Sequence, residues 1–276
     1  MKAITDSEFN KIREYVKLHY GLSFSDEKKM LIQSRLRAHV LDHNFDSLED
    51  YFDFIKRDPK GESMTQFVNK ITTNHTFFMR ETEHFDYFRD VCLPHIHQTH
   101  ADQRDLRLWC CASSSGEEAV TLQIIAQEFF KNFFKKTGEV WDTTMLATDI
   151  STTVLDKAVY GRYPTEALQN LPKHWQLEYF SKVDATNSQV KDSIRKKILY
   201  RRFNMMEPFK FKKRFQVIFC RNVMIYFDSA VRDAIVKKFF EVTEPGGYLF
   251  IGHSESISNT GSGYQYIKPA VYRKPI

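Results

Sequence analysis

The chain has 276 residues, of which 42% are hydrophobic and 27% charged, with only ten glycines and eight prolines. That length fits one large domain or two small ones, and that composition excludes collagen-like and disordered-linker classes. The net charge is +5, and no apolar run approaches the ~18 residues of a membrane span.

The amino-terminal stretch is charged throughout and lacks an apolar signal segment, so the expected location is the cytoplasm, with no membrane insertion. Cys92, Cys110, Cys111 and Cys220 show no metal-ligand spacing and read as buried, reduced thiols.

In chain order, Phe9, Ile12, Val16 and His19 recur at three- and four-residue spacing and predict a first helix. Ser25-Asp26-Glu27 can cap a second, with Met30, Leu31, Leu36 and Val40 as its apolar positions. Ser47 opens a third through Tyr51, Phe52 and Ile55, and Asp58-Pro59-Lys60-Gly61 stops it. A short helix over 64–71 follows.

After about residue 104 the pattern changes. Strand-like runs at 106–112, 145–150, 216–220 and 248–251 alternate with helical stretches at 117–131, 152–159 and 230–242. Such alternation predicts a parallel sheet covered on both faces, and 264–267 with 271–273 predicts a terminal hairpin. The fold class is therefore α/β, preceded by an all-helical unit.

Four constellations fall where that sheet would end. The strand end Leu108-Trp109-Cys110-Cys111-Ala112 runs into the small residues Ser113-Ser114-Ser115-Gly116, then Glu117-Glu118. This is a place where a ligand can approach backbone, although a well-capped helix explains it too. Asp149 ends the next strand and suits either ribose hydroxyls or a helix cap. Arg221 and Asn222 follow a buried strand, where they need partners or a cleft. The polar–aromatic stretch from Thr72 to Glu81 is poor helix material and reads as a segment laid across a cleft.

Charge is uneven. From Lys191 to Arg214 ten Lys/Arg stand against two acids, a local net charge of +8. That stretch fits an acidic partner or a solvated face. Lys28, Arg35 and His39 lie at i, i+7 and i+11, on one face of the second helix.

Together, TTNHTFFMRE (72–81), SSSGEE (113–118), ATDIS (147–151), GRYP (161–164), RRFNMMEPF (201–209), FCRNVMIYFD (219–228), GGYLFIGHSES (246–256) and PAVYRK (269–274) resemble the CheR family of chemotaxis receptor methyltransferases. The resemblance implies a helical N-terminal domain over 1–70 and a Rossmann-like methyltransferase domain over 71–276. A small antiparallel β insertion is expected at about 171–201.

It also implies methyl transfer from S-adenosylmethionine to receptor glutamates, releasing S-adenosylhomocysteine without a metal. Asn74, Thr76 and Arg80 would meet the cofactor's amino-acid end or the active centre. Glu117 would belong to the cofactor loop, Asp149 would hold the ribose, Asn204 and Met205 would flank adenine, and Arg221 and Asn222 would line the floor. Arg80 and Tyr226 would assist the transfer. Lys28, Arg35 and His39 would face the substrate, the cytoplasmic helical domains of chemoreceptors.

The chain departs from the family pattern at Met79, Ser114 and Ala119-Val120, none of which removes a charged group. Residues 181–187 contain no glycine, unlike members that dock a receptor's C-terminal peptide there, so independence of such a tether is expected. No nucleic acid partner is expected, and the chain is expected to be a monomer. Two other readings compete: a nucleic-acid methyltransferase using Tyr200, Phe203, Phe209 and Phe211 among the basic residues, and a non-catalytic cofactor sensor.

Overall fold

The computed structural model describes residues 3–257 and 261–276. The first unit is four helices: α1 (Asp6–Tyr20), α2 (Lys28–Asp42), α3 (Leu48–Ile55) and α4 (Glu62–Ile71). Thr5 and Glu8 cap α1 reciprocally, and Gly21 ends it at φ 74. Ser47 caps α3 by accepting the amide of Asp50. The cap expected at Ser25-Asp26-Glu27 is not made by a side chain. Glu27 is already helical, and the carbonyls of Ser25 and Asp26 receive the amides of Lys28 and Lys29 in a tight turn. One apolar cluster holds the unit together, including Phe9, Val16, Leu36, Tyr51, Phe52 and Phe67.

Residues 72–81 then cross to the second unit. Where the sequence predicts no elements, α5 (Thr82–Tyr87), a π-helical turn (Phe88–Cys92) and α6 (Leu93–Thr99) follow one another directly.

The α/β unit contains β1 (Leu108–Cys111), α7 (Glu117–Thr137), β2 (Met145–Asp149), α8 (Thr152–Tyr160), β3 (Arg162–Pro164), α9 (Lys173–Tyr179), β4 (Phe180–Lys182), β5 (Asn187–Val190), α10 (Asp192–Arg195), β6 (Ile198–Arg202), β7 (Phe215–Cys220), α11 (Ser229–Val242), β8 (Thr243–Phe250), β9 (Gln265–Lys268) and β10 (Val271–Arg273). Among the described residues, seven strands form one mixed sheet in the order β6-β2-β1-β7-β8-β10-β9. The pairs from β6 to β8 are parallel, and β10 is antiparallel to both neighbours.

Side-chain alternation along β1 splits the core. Leu108 and Cys110 face the cluster of α5–α7, while Trp109 and Cys111 face that of α11. The chain runs outward from β1 through β2 to β6, then returns to β7 beside β1. The reversal leaves a crevice outside the carboxyl ends of β1 and β7, where open α/β sheets bind ligands.

The small antiparallel sheet has the order β3-β5-β4. It begins at Arg162, earlier than the expected 171, and the segment 198–201 belongs instead to edge strand β6 of the large sheet. Ile198 and Tyr200 are buried while Leu199 and Arg201 are exposed, the period-two pattern of a strand with one solvated face.

Candidate active site

A cleft of about 1260 Å³, counted to its open mouth, lies at that crevice between the two units. One wall is main chain. After β1 the backbone turns sharply, with Ala112 and Ser114 in the left-handed region (φ 59 and 49) and Gly116 at φ 97. A Cβ on Gly116 would stand 2.8 Å from the Tyr200 hydroxyl and 2.9 Å from that of Tyr163, so only glycine fits. The turn aims the Ser114 amide at Asp149 Oδ2 (2.9 Å), while the Ser151 amide donates to Oδ1 (2.9 Å). Burial raises the Asp149 pKa above the ordinary carboxylate value, and these amides draw it back.

The opposite wall is an ion-pair knot. Arg221, 4% exposed, donates from Nη1 to Glu118 Oε2 (2.7 Å) and from Nη2 to Glu81 Oε2 (3.1 Å), and also to the Arg80 carbonyl. Its guanidinium carbon lies 5.2 Å from the centre of the Phe85 ring. Asn222 Nδ2 donates to Glu81 Oε1 (2.9 Å) and the His253 amide to Glu81 Oε2 (3.3 Å).

The two carboxylates shift in opposite directions. Burial lifts Glu118, which has Arg221 and the Cys110 thiol as counterweights. Burial pushes Glu81 the same way, but the Asn222 bond and the charge and bond of Arg221 together hold it below the usual value.

Glu81, His84 and His253 bring potential metal-ligand atoms within 4.8 Å of one another. The Glu81 oxygens facing them already receive Arg221, Asn222 and the His253 amide, so the cluster belongs to the knot. His84, wholly buried, has its pKa lowered to about 3, mainly by burial and then by Arg221.

The mouth is basic and aromatic. Arg80 Nη1 donates to the His75 carbonyl (3.0 Å), and its guanidinium carbon lies 5.8 Å from the centre of the exposed Phe77 ring. Lys28 Nζ lies 5.4 Å from the centre of the Tyr226 ring, and Arg35 donates to the Thr72 carbonyl at 3.2 Å. The Ser23 amide donates to the Tyr226 carbonyl (2.8 Å), which ties the first unit to the rim.

Asn74, Thr76, Arg80, Asp149, Asn204, Met205, Arg221, Asn222, Tyr226, Lys28 and Arg35 all line this one cleft. Two candidate residues do not. Glu117 turns back onto the Ser115 hydroxyl (2.8 Å), and its neighbour Glu118, about 100° further round the helix, takes the cleft position. His39 is 9% exposed and packs edge-on against Tyr51, 5.4 Å between ring centres. It shares a helical face with Lys28 and Arg35, but α3 covers that end of α2. Asn204 reaches the cleft with its amide already committed, Nδ2 to the His19 carbonyl (2.9 Å) and Oδ1 to the Met206 amide (3.0 Å).

The sequence motifs alone assign no role to Glu81, Glu118 or Ser113, and name Phe203 only in the nucleic-acid reading, although all four sit inside them. Ser113 Oγ is buried on the cleft wall with no protein partner. That orphaned hydroxyl, the two-amide carboxylate beside it and the apolar Ile150, Phe203 and Met205 suit a nucleoside with a diol. Phe203, Phe209 and Phe211 pack around Trp109, with ring centres 4.9–5.5 Å from its own, so Phe209 and Phe211 belong to the packing against the core, while Phe203 also borders the cleft. No helix among the described residues is long and apolar enough to cross a membrane.

Comparison with known proteins agrees with this geometry. Residues 7–72 match the family model described as CheR methyltransferase, all-alpha domain, and residues 74–272 match CheR methyltransferase, SAM binding domain. The chain is 35% identical over 278 residues to a chemotaxis protein methyltransferase of Borreliella burgdorferi, covering 98% of this chain and 95% of the relative. It is 31% identical over 277 residues to chemotaxis protein methyltransferase 2 of Vibrio cholerae, covering 99% and 94%. A cleft built by two units and the link between them, matched end to end in this way, places the chain in the CheR family of S-adenosylmethionine-dependent methyltransferases.

Proposed function

We propose that this enzyme esterifies glutamate side chains on the cytoplasmic helical domains of chemoreceptors. The observation that carries the reading is the pairing, in one cleft, of a diol-binding wall at Asp149 with a mouth of Arg80, Lys28, Arg35 and Tyr226. When bound, the cofactor supplies an electrophilic methyl group on a sulfonium. Asp149 and Ser113 would hold its ribose, Met205 and Phe203 its adenine, and Asn74, Thr76, Glu118, Arg221 and Asn222 its amino-acid end.

A glutamate acceptor, with a reference pKa of about 4.3, is already ionised at neutral pH, so no general base is required. The chain must instead desolvate that carboxylate and align it. Arg80 fits the alignment because a guanidinium can pair two parallel hydrogen bonds with a carboxylate. Tyr226 closes the opposite side of the mouth under Lys28. An attack geometry held in this way is worth ~7–11 kcal/mol in favourable cases.

The enzyme would act in the cytoplasm as a monomer, and a chelator would leave its turnover unchanged. The turn between β4 and β5 is closed by Asp184, which accepts the Thr186 and Asn187 amides at 2.8 Å each. It needs no glycine, and this supports methylation of receptors that lack a C-terminal tether.

The test uses radiolabelled S-adenosylmethionine and membranes carrying native chemoreceptors, counting label released as methanol by mild base. Base-labile label that disappears in Arg80→Ala supports esterification. Base-stable label, or label lost on RNA digestion, would sink it. Cofactor binding without any turnover would favour the sensor reading.

A further inference from the structure

Glu255, in the motif GHSES after β8, is 8% exposed and does not line the cleft. Its carboxylate nevertheless gathers main-chain amides from two strand-end loops. Oε2 accepts from Gly252 (2.5 Å) and Asn222 (3.0 Å), and Oε1 from Met224 (2.6 Å) and Ile225 (3.3 Å). Three of the four donors, Asn222, Met224 and Ile225, lie between Arg221 and Tyr226. Asn222 is held at φ 59, a conformation that costs a non-glycine residue energy and persists only where its surroundings enforce it. Met224–Tyr226 then forms a single 3₁₀ turn that ends at the cleft.

Arg221 has its own anchors in Glu81 and Glu118. Beyond it, the amides of the turn lead to Glu255. A carboxylate suits this task because every partner is a donor. A glutamine would turn its NH₂ toward amides on one side.

We propose that Glu255 is a positioning residue for methyl transfer: by receiving the amides of Asn222, Met224 and Ile225 it fixes the loop that aims Tyr226 into the cleft. The inference rests on the reading of Tyr226 as a residue of the reaction.

The experiment compares Glu255→Gln, Gly252→Ala and Tyr226→Phe in the full chain, singly and with each of the first two combined with the third. A Cβ on Gly252 would stand 2.9 Å from Glu255 Oε2 and 2.5 Å from Asn222 Nδ2, so Gly252→Ala disturbs the same clamp without removing the carboxylate. Calorimetric titration with S-adenosylhomocysteine counts competent molecules, so a partly unfolded variant is not mistaken for a slow one. Glu255→Gln is expected to lower kcat per competent molecule roughly 30-fold, the scale of a small misplacement of reacting groups, with a smaller fall for Gly252→Ala. Product affinity should fall by less than kcat does, since Asn222 also borders the cofactor's amino-acid end, and on top of Tyr226→Phe either change should lower kcat by less than a further threefold or so, as coupled residues do.

Full additivity in the double variants would overturn the proposal, as would normal kcat in both Glu255→Gln and Gly252→Ala while Tyr226→Phe is slow. A normal rate in Tyr226→Phe would instead remove the reading of Tyr226, and this proposal with it.

Discussion

The Asp149 wall and the Arg221 wall line one cleft but are made differently. Asp149 is held by amides of the chain that turns around it, so its place is set by backbone conformation. Arg221 is held by the carboxylates of Glu118 and Glu81, which come from distant parts of the chain. A wall of main chain tolerates loss of a side chain's charge. A knot of buried charges does not, because each member left alone is an unpaired ion out of water.

The sharpest break of that contrast is Arg221→Met, which strands two carboxylates and should cost about 3–5 kcal/mol by denaturant unfolding. Adding Glu81→Gln and Glu118→Gln should restore most of it. A triple variant as unstable as the single one would contradict the account.

Acid should also find this wall first. With its pKa lowered to about 3, His84 stays neutral in the fold while the unfolded chain takes up a proton from near 6.5 downward. The unfolded state then binds more protons between those values, so stability falls as pH drops, by about 1.4 kcal/mol per unit from this group. His84→Phe should remove that slope, measured as the difference in unfolding free energy between wild type and variant from pH 7 to pH 4.

On the main-chain wall, Asp149→Asn keeps the volume but loses the charge and turns a donor toward one of the two amides that Asp149 accepts. Cofactor affinity should weaken by about 1.5–3 kcal/mol, roughly ten- to hundredfold, and folding stability by about 1–3 kcal/mol, because the new NH₂ faces one of the two buried main-chain amides, still less than the cost of Arg221→Met. Calorimetry beside a melting curve separates the two. The smallest effect belongs to the rim. Lys28→Ala should raise the receptor KM by less than about fivefold, with the difference vanishing in high salt, because exposed charges are screened.

Periodicity and turn residues make most elements legible from the amino-acid order alone. Phe9, Ile12 and Val16 mark α1, and the alternation after residue 104 marks the order of the sheet. What escapes such a reading depends on contacts between elements. Edge strand β6 ends in the exposed Arg201 and Arg202, so it resembles part of a charged insertion. Two adjacent glutamates offer equal candidates, and only the direction of α7 relative to the sheet chooses Glu118 over Glu117. His39 sits correctly on the helical wheel, but the wheel says nothing of α3 lying over it. The knot is invisible for the same reason, since Glu81 and Arg221 are 140 residues apart. The family resemblance supplies most of the cleft residues as a set, without saying which are partners.

The two family models abut at residues 72 and 74, in the piece of chain that walls the cleft. The seam between two inherited modules thus passes through the middle of the site. An exchange of the first seventy residues with a relative would replace Lys28 and Arg35 while leaving Asp149, Glu118, Arg221 and Tyr226 in place. If the proposed roles hold, such a chimera keeps its cofactor affinity and changes its KM among receptors, which titration and turnover would check.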